Sequence, residues 1–510
     1  MRVRSIAASW VGGMLLLVTT LAMAQQWQDA TARKAGQGDG PFQRLILQQA
    51  TVVGGSASAP VDVVIENNRI VGVTRVQPKP SDRVIDARGL YVVPGLIDSH
   101  VRIIDAGYEA LPPDYALKLL LAHGVTTIAS MQNFDKVDWA LRMQQQSAAN
   151  TIVAPRIQVW SDVSGESPEE IRASIRSAHQ RGVFGIGEGG VYKDDVEGMR
   201  AALDEARKLK MRSHWHMYGG TAAQFNALDA ARAGLGGMAH WYCLPEALLE
   251  GRASPQYPES KGPRDTRLRF AQAGRLWKQV APPHSALWNQ VMNEFLARDF
   301  TFEPTFSVYE AHRDYMGVSR ADWHEAYLHP VLEKTFIPGK TGRFSHLYDW
   351  TSTDEVEWRN NYRLWMTFIN EYKNRGGRVV AGSDPGFMWV NFGFGLIRNL
   401  EMLQEAGFTI QQALDAATIK SAEHLGMQSQ IGSIEVGKLA DLAILERDPR
   451  EDLKAFYATG TLQLQPDGTT RRTGGVKYTI KDGVIYDAKA LLADVANMVR
   501  DAREAQRGVQ

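Results

Sequence analysis

The chain has 510 residues, of which 44% are hydrophobic and 22% charged, a balance typical of a soluble globular protein with a large core. Basic and acidic residues both number 57, so the net charge is zero. This balance disfavours a nucleic acid or an anionic membrane as the partner and leaves a small-molecule substrate as the expectation. A single cysteine, Cys243, excludes an intramolecular disulfide. A homo-oligomer is left open.

Residues 1–24 have the pattern of a secretory signal peptide. Arg2 and Arg4 precede an apolar stretch over residues 11–21, and residues 22–24 form an Ala-Met-Ala cleavage signal. The apolar stretch is too short to span a bilayer, which makes an uncleaved membrane anchor the weaker alternative. The sequence therefore predicts a periplasmic or secreted protein with no membrane attachment once this segment is removed.

Short β-type runs mark both ends of the remaining chain. Asn67 and Asn68 stand between two such runs, which is a signal for a tight hairpin. The middle of the chain has a different sequence pattern, in which short apolar strands alternate with amphipathic helices, as in βαβ units. We predict an α/β fold, a (β/α)8 TIM-type barrel inserted in a small β-sandwich built from both chain ends. A doubly wound open sheet is the alternative.

The predicted boundaries follow from these patterns. The β-sandwich takes residues 25–93 and 434–487, the barrel 94–433, and a C-terminal helix 488–510. Further helices are predicted to open at Ser167 with an N-cap, and to run over residues 196–209 and 411–425. Proline-rich residues 246–298 are predicted to be an inserted loop, either a lid or a surface excursion.

Two groups of motifs resemble the amidohydrolase superfamily. Residues 84–100 contain Val-Ile-Asp-Ala-Arg-Gly and end in Val-Pro-Gly-Leu-Ile-Asp-Ser-His, similar to that family's entry into its barrel. Residues 431–442, with Gly-Lys-Leu-Ala-Asp-Leu at their end, resemble its return into the β-sandwich. The similarity runs from residue 45 to 487 and looks closest to imidazolonepropionases and prolidase-like peptidases. It implies metal ligands at the C-terminal ends of barrel strands 1, 4, 5, 6 and 8.

The first and fourth of these strands depart from the family pattern. Strand 1 of the family ends in His-x-His, whereas this chain has His100-Val101-Arg102, and an arginine cannot lose its proton to bind a metal. At strand 4 the family's bridging lysine is missing, and Glu188 stands beside its place. A glutamate replaces that lysine in single-metal members, so Glu188 is a candidate ligand, with a capping or surface acid as the alternative.

Strands 5 and 6 keep their histidines. His216 lies three residues before a glycine, as the family's strand-5 ligand does, and His240 matches the ligand of strand 6. In a strand, His214 and His216 point to the same face, so His214 is a reserve candidate for contact with the substrate. The set of His216, His240 and Glu188 would hold one zinc ion, with His100 as a further candidate ligand.

Three other residues complete the predicted site. Asp384 matches the strand-8 aspartate that moves protons during hydrolysis, and His240 is a second catalytic candidate. Asp384 could also pair with Arg102, because strands 1 and 8 are neighbours in a closed barrel, and both roles could hold together. Arg102 is the candidate for holding a substrate carboxylate. Residues 304–309 resemble the family's strand 7, which would bring Tyr309 to the rim.

These residues favour a hydrolase that cleaves an amide-type C–N bond of a peptide-like or cyclic amide through one zinc ion. The broken His-x-His pair leaves open a metal-independent isomerase, lyase or cyclase on the same barrel, with no zinc at all. A non-catalytic binding protein is the third alternative. It is disfavoured by the presence of His216, His240 and Asp384 together at matching strand ends.

Overall fold

The computed structural model describes residues 27–54, 60–104, 109–131, 133, 136–189, 195–217, 225–250, 266–338, 347 and 349–508. The predicted signal peptide lies outside these residues. Within them, no helix is long and apolar enough to cross a membrane.

The elements are numbered in chain order over the described residues. The strands are β1 (Leu45–Val52), β2 (Val61–Glu66), β3 (Arg69–Val73), β4 (Arg83–Asp86), β5 (Tyr91–Pro94), β6 (Leu96–Val101), β7 (Val125–Ser130), β8 (Arg156–Val163), β9 (Gly185–Gly189), β10 (Arg212–His216), β11 (Gly237–Ala239), β12 (Thr301–Glu303), β13 (Arg378–Val379), β14 (Leu442–Leu445), β15 (Thr461–Leu464), β16 (Thr470–Thr473), β17 (Val476–Lys481) and β18 (Val484–Asp487). The α-helices are α1 (Pro113–Ala122), α2 (Val137–Ala148), α3 (Pro168–Gln180), α4 (Val196–Lys208), α5 (Ala227–Arg232), α6 (Thr266–Ala273), α7 (Ala286–Leu296), α8 (Glu310–Arg313), α9 (Tyr315–Val318), α10 (His324–Tyr327), α11 (Pro330–Phe336), α12 (Ser352–Asn374), α13 (Phe394–Glu405), α14 (Ile410–Ala416), α15 (Ile419–Leu425) and α16 (Ala488–Arg507).

Strands β6 to β13 form the barrel. They pair in parallel and in sequence order, which makes them barrel strands 1 to 8. Main-chain hydrogen bonds join the two ends of the sheet: Ser99 donates to the carbonyl of Ala381, and Asp384 donates to that of His100. The ring therefore closes, and the C-terminal ends of its eight strands meet at one mouth.

The small domain is a mixed sheet made from both chain ends, in the order β18-β17-β14-β5-β1-β2-β3. Strand β1 bends at Gln49, whose φ is 58°. Before the bend β1 pairs with β4, and after it β1 pairs with β5. The apolar side chains of the whole sheet, among them Leu47, Ile65 and Ile480, form a buried core of their own. The predicted fold class, a barrel inserted in a β-domain, is confirmed.

Buried charges join the two units. Arg156 opens β8 and contacts the carboxylates of Asp441 and Asp482, which lie beside strands of the small domain. The side chain of Asp441 is only 2% exposed. Removal of Arg156 would leave the buried carboxylate of Asp441 without this cation, which is destabilising, whereas Asp482 would keep its ion pair with Lys481 at 3.0 Å.

The predicted helices are found with one difference. Helices α3, α4 and α16 occupy the predicted places, and Ser167 accepts the expected capping hydrogen bond from the amide of Glu170. The single helix predicted for 411–425 is divided into α14 and α15. The carbonyls of Ala416 and Ala417 accept hydrogen bonds from the barrel amides of Ala381 and Ile97, so they are unavailable to a continuous helix.

Part of the predicted loop at residues 246–298 is also helical. Residues 251–265 lie outside the described part of the chain, but α6 and α7 follow them. Helix α7 buries one apolar stripe, formed by Trp288, Val291, Met292 and Phe295. This helical spacing is the physical reason that the loop prediction was wrong here.

A candidate metal centre at the barrel mouth

Three buried side chains converge at the C-terminal ends of the barrel strands. His100 lies on β6, His240 directly follows β11, and Asp384 lies in the segment after β13. Their potential ligand atoms all lie within 4.8 Å of one another. The Nε2 atoms of His100 and His240 are each 3.7 Å from a carboxylate oxygen of Asp384, Oδ1 and Oδ2 respectively.

The backbone at this site is held in an uncommon conformation. His240 has a φ of 67° and Asp384 a φ of 47°, both in the left-handed region that side-chain-bearing residues seldom adopt. Main-chain hydrogen bonds fix both residues, because the amide of His240 donates to Glu303 and that of Asp384 donates to His100. Strain of this kind persists where the surrounding structure over-determines it, which is common at functional sites.

In each imidazole an oxygen atom lies beside Nδ1, the ring nitrogen that points away from Asp384. Nδ1 of His100 lies 3.0 Å from Oε1 of Glu303. Nδ1 of His240 lies 2.5 Å from the hydroxyl of Thr305, which itself donates to the carbonyl of Pro304. Because that hydroxyl hydrogen is already used, Thr305 accepts from Nδ1–H of His240. The lone pair of His240 is therefore at Nε2, on the side of Asp384.

Arg102 supplies a cation inside the same cluster. Its guanidinium lies 2.5 Å from Oδ1 of Asp384, and the side chain is 5% exposed. The alternative of an Arg102–Asp384 ion pair is thus confirmed. Beneath the pair, Asp98 accepts hydrogen bonds from the amide and hydroxyl of Ser383. Burial raises the pKa of Asp98 to about 7.

The charges in the cluster shift each other's titration. Burial disfavours the charged form of His100, but the carboxylates of Asp384 and Glu303 outweigh it and raise the pKa of His100 to about 9. Burial also opposes the charge of Glu303, yet His100 and His214 lower its pKa to about 2. Burial, and then the neighbouring His216 and His100, hold the pKa of His240 well below its ordinary value.

Glu303 was missed by the sequence analysis. It ends β12, the seventh barrel strand, and is fully buried between His100 and His214, whose Nε2 lies 2.9 Å from Oε2. The prediction placed strand 7 at residues 304–309, after the true strand. The available signal was a carboxylate within an otherwise apolar run, between Phe302 and Pro304.

The remaining predicted residues have different positions. His216 ends β10, and its ring centroid lies 4.7 Å from that of His240. His214 is deeper in the barrel, against Glu303. Glu188 is on β9, but its side chain lies outside the described part of the structure. Tyr309 is in a 3-10 turn rather than a strand, with its ring 5.6 Å from that of His240.

The cluster of His100, His240 and Asp384 fits a divalent metal ion. Imidazole nitrogen and carboxylate oxygen are the donors that zinc takes in catalytic sites. The separations of 3.7 Å between these donors are too long for hydrogen bonds. In both imidazoles the other nitrogen lies within 3.0 Å of an oxygen atom, an arrangement usual for metal-ligating histidines. A metal would displace the proton that the carboxylates favour on His100.

Comparisons with known proteins agree with this architecture. Residues 91–247 and 366–486 match the model of the amidohydrolase family. A dihydroorotase of Bacillus pumilus (strain SAFR-032) is 23% identical over 458 residues, which cover 84% of this chain and 95% of that protein.

Solved structures match over most of the chain. A Xaa-Pro dipeptidase with bound methionine in its active site has a TM-score of 0.57 and 17% identity, covering 87% of this chain and all of its own. The bottromycin amidohydrolase has a TM-score of 0.58 and 16% identity, covering 89% of this chain and 91% of its own. At such identities the likeness shows a shared fold.

Proposed function

The chain belongs to the amidohydrolase family and is a hydrolase of carbon–nitrogen bonds, and from this premise we propose that it cleaves a peptide-like or cyclic amide that carries a carboxylate. Its cofactor is one zinc ion held by His100, His240 and Asp384. The observation that carries the proposal is the convergence of these three buried donors at the barrel mouth. Nε2 of each histidine faces a carboxylate oxygen of Asp384. Nδ1 of His100 lies beside Glu303, and Nδ1 of His240 lies beside Thr305.

When bound, the metal would acidify a water molecule and polarise the scissile carbonyl. The protein's own residues accept and donate the protons. Asp384 accepts the proton of the attacking water at Oδ2 and later gives it to the leaving nitrogen. Arg102 contacts the other oxygen, Oδ1, and so fixes the plane of the carboxylate. His240 remains neutral, because burial holds its pKa well below the ordinary value, and its single proton is at Nδ1, where Thr305 accepts it.

The substrate class follows from the charge of Arg102. A guanidinium presents a planar set of N–H donors that matches a carboxylate, and this one lies beside Asp384 inside the barrel. The names of the similar proteins include a dihydroorotase and a Xaa-Pro dipeptidase, and the second name indicates a peptide substrate. Tyr309 forms an aromatic wall near His240 against which a substrate packs.

Two further ligands remain proposals. His216 lies against His240, and Glu188 is on the neighbouring strand β9. They would join the same ion or bind the substrate. His214 has a different role from these two residues, because its Nε2 lies 2.9 Å from Oε2 of Glu303.

We also propose that the protein is exported. The support is the pattern of residues 1–24, with an apolar stretch followed by Ala-Met-Ala before Gln25. The small-molecule substrate would then be met in the periplasm or outside the cell.

The reaction is tested by hydrolysis of a panel of dipeptides, N-acyl amino acids and cyclic amides in ¹⁸O-labelled water. The expected result is turnover that places solvent oxygen in the product and is lost in Asp384→Asn. The matched control is His123→Gln, a buried site outside the barrel mouth, which should retain activity. Turnover with no solvent oxygen in the product would instead indicate a metal-independent isomerase or lyase.

A further inference from the structure

Glu303 is a buried carboxylate between two histidines from different barrel strands. Its oxygens lie 3.0 Å from Nδ1 of His100 on β6 and 2.9 Å from Nε2 of His214 on β10. The side chain is fully buried. Burying a carboxylate in a barrel core costs free energy, and an apolar side chain of similar volume often serves stability as well or better. Its presence therefore calls for a reason other than stability.

Two glycines leave space for this group, Gly237 on β11 and Gly382 in the segment after β13. A Cβ at Gly382 would lie 2.1 Å from Oε1 of Glu303 and 2.9 Å from Cβ of His100. A Cβ at Gly237 would lie 2.7 Å from Nδ1 of His214. Both distances to nitrogen and oxygen are shorter than van der Waals contact permits. The interior is thus built around the His100–Glu303–His214 triad.

The carboxylate acts on the ring of His100. An imidazole that binds a metal through one nitrogen is oriented by the acceptor that holds the other one. Here Nδ1 of His100 faces Glu303, and Nε2 consequently faces Asp384 at 3.7 Å. With an apolar side chain at position 303, the carboxylate contact at Nδ1 of His100 would be lost.

We propose that Glu303 is the positioning residue of this metal centre: it sets the ring of His100 toward Asp384 and ties it to His214, and Gly382 keeps the space it needs. This inference rests on the proposed metal-dependent function. The seventh barrel strand thus contributes to the site through Glu303, which contacts the proposed ligand His100 and not the substrate.

The test compares substitutions that remove or retain the acceptor. Glu303→Met removes both oxygens at similar length, and Glu303→Gln keeps one. We expect Glu303→Met to weaken zinc or cobalt binding about 10–100-fold, the usual effect of losing such a partner, and Glu303→Gln to fall between it and wild type. Binding is measured by competition with a chromophoric chelator. Gly382→Ala, which pushes on the same oxygen, should weaken binding in the same direction.

The matched control is Glu205→Met. Glu205 is 7% exposed and pairs with Arg172 and Arg176, but it lies on α4 outside the barrel interior. Its loss should leave metal affinity unchanged. Equal losses in Glu205→Met and Glu303→Met would overturn the proposal, because they would reflect stability alone.

A crystal structure of metal-free Glu303→Met separates this inference from the proposed function. We expect the His100 ring to rotate so that Nε2 no longer faces Asp384, and to return in Glu303→Gln. An unmoved ring refutes the positioning role even if zinc is bound. A rotated ring supports it even if the wild-type protein takes no metal, a result that would sink the proposed function only. If Glu303→Met does not fold, Glu303→Gln and Gly382→Ala decide the same two readouts.

Discussion

His123 should make the protein less stable in acid by a predictable amount. It caps the C-terminal end of α1, with Nδ1 donating to the carbonyl of Leu119 at 2.8 Å and its ring 4.2 Å from that of Phe394. Burial lowers its pKa from 6.5 to about 4. Its titratable ring neighbour Tyr457 has a pKa raised well above the ordinary value, also by burial, and so stays neutral.

The magnitude follows from the difference in bound protons. Between these two pKa values the unfolded chain carries a proton on His123 and the folded protein does not, so acid favours unfolding. Integrated from pH 8 to pH 5, His123 alone lowers the free energy of unfolding by about 2 kcal/mol, at roughly 1.4 kcal/mol per pKa unit. Below about pH 4 both states are protonated and the effect of this residue levels off.

The assay is urea unfolding of wild type and His123→Gln at pH 8 and pH 5. Other buried histidines titrate in both proteins, so the comparison is the change between the two pH values. We expect that change to be smaller in His123→Gln by about 2 kcal/mol, whatever its stability at pH 8. The same pH dependence in both proteins would mean that folding does not shift the pKa of His123, contrary to this expectation.

Three further results are expected. Arg156→Ala leaves the buried carboxylate of Asp441 without its cation, while Asp482 keeps Lys481, and should cost about 3–5 kcal/mol in thermal or urea unfolding. Arg207→Ala, at a 70% exposed side chain, should cost at most about 1 kcal/mol, and equal costs in the two variants would contradict a structural role for the buried ion pair. Arg102→Met should lower kcat/KM about 10–100-fold more for a substrate with a free carboxylate than for its neutral amide, as loss of a charged hydrogen bond predicts; a uniform loss would remove the substrate assignment. Mass spectrometry of exported protein should find Gln25 as the first residue, and a chain beginning at residue 1 would contradict the signal peptide.

The barrel could be predicted because its evidence is local. Apolar strands and amphipathic helices alternate, and the motifs at residues 84–100 and 431–442 mark both boundaries. The division of α14 from α15 could not be predicted, because it depends on hydrogen bonds from distant barrel strands to Ala416 and Ala417. Helix α7 could have been found, since the spacing of Trp288, Val291 and Phe295 is helical.

The residues of the candidate site were named from the sequence, but which of them lie together was not predicted. His100, His240 and Asp384 were all candidates, because each matches a family position at a strand end. The structure brings these three together, with Asp384 among the possible ligands. The sequence analysis named His216, His240, Glu188 and His100 as metal ligands and gave Asp384 a catalytic role only, because the distances across a barrel depend on strand register and backbone conformation.

Glu303 shows why register matters. Strand β12 has three residues and follows a long segment without a family motif, so its position was set too late in the chain. The carboxylate that holds both His100 and His214 was consequently assigned to no role. A buried charge at the end of a short apolar run was the one available signal.

A metal ion at His100, His240 and Asp384 would be detected by elemental analysis of protein purified without chelators. We expect about one zinc per chain in the wild type, the content of a mononuclear catalytic site. We expect that zinc to be lost in His100→Ala and His240→Ala, but not in His123→Gln. A wild-type protein that stays metal-free after incubation with zinc, or a zinc content unchanged in both alanine variants, would contradict this expectation.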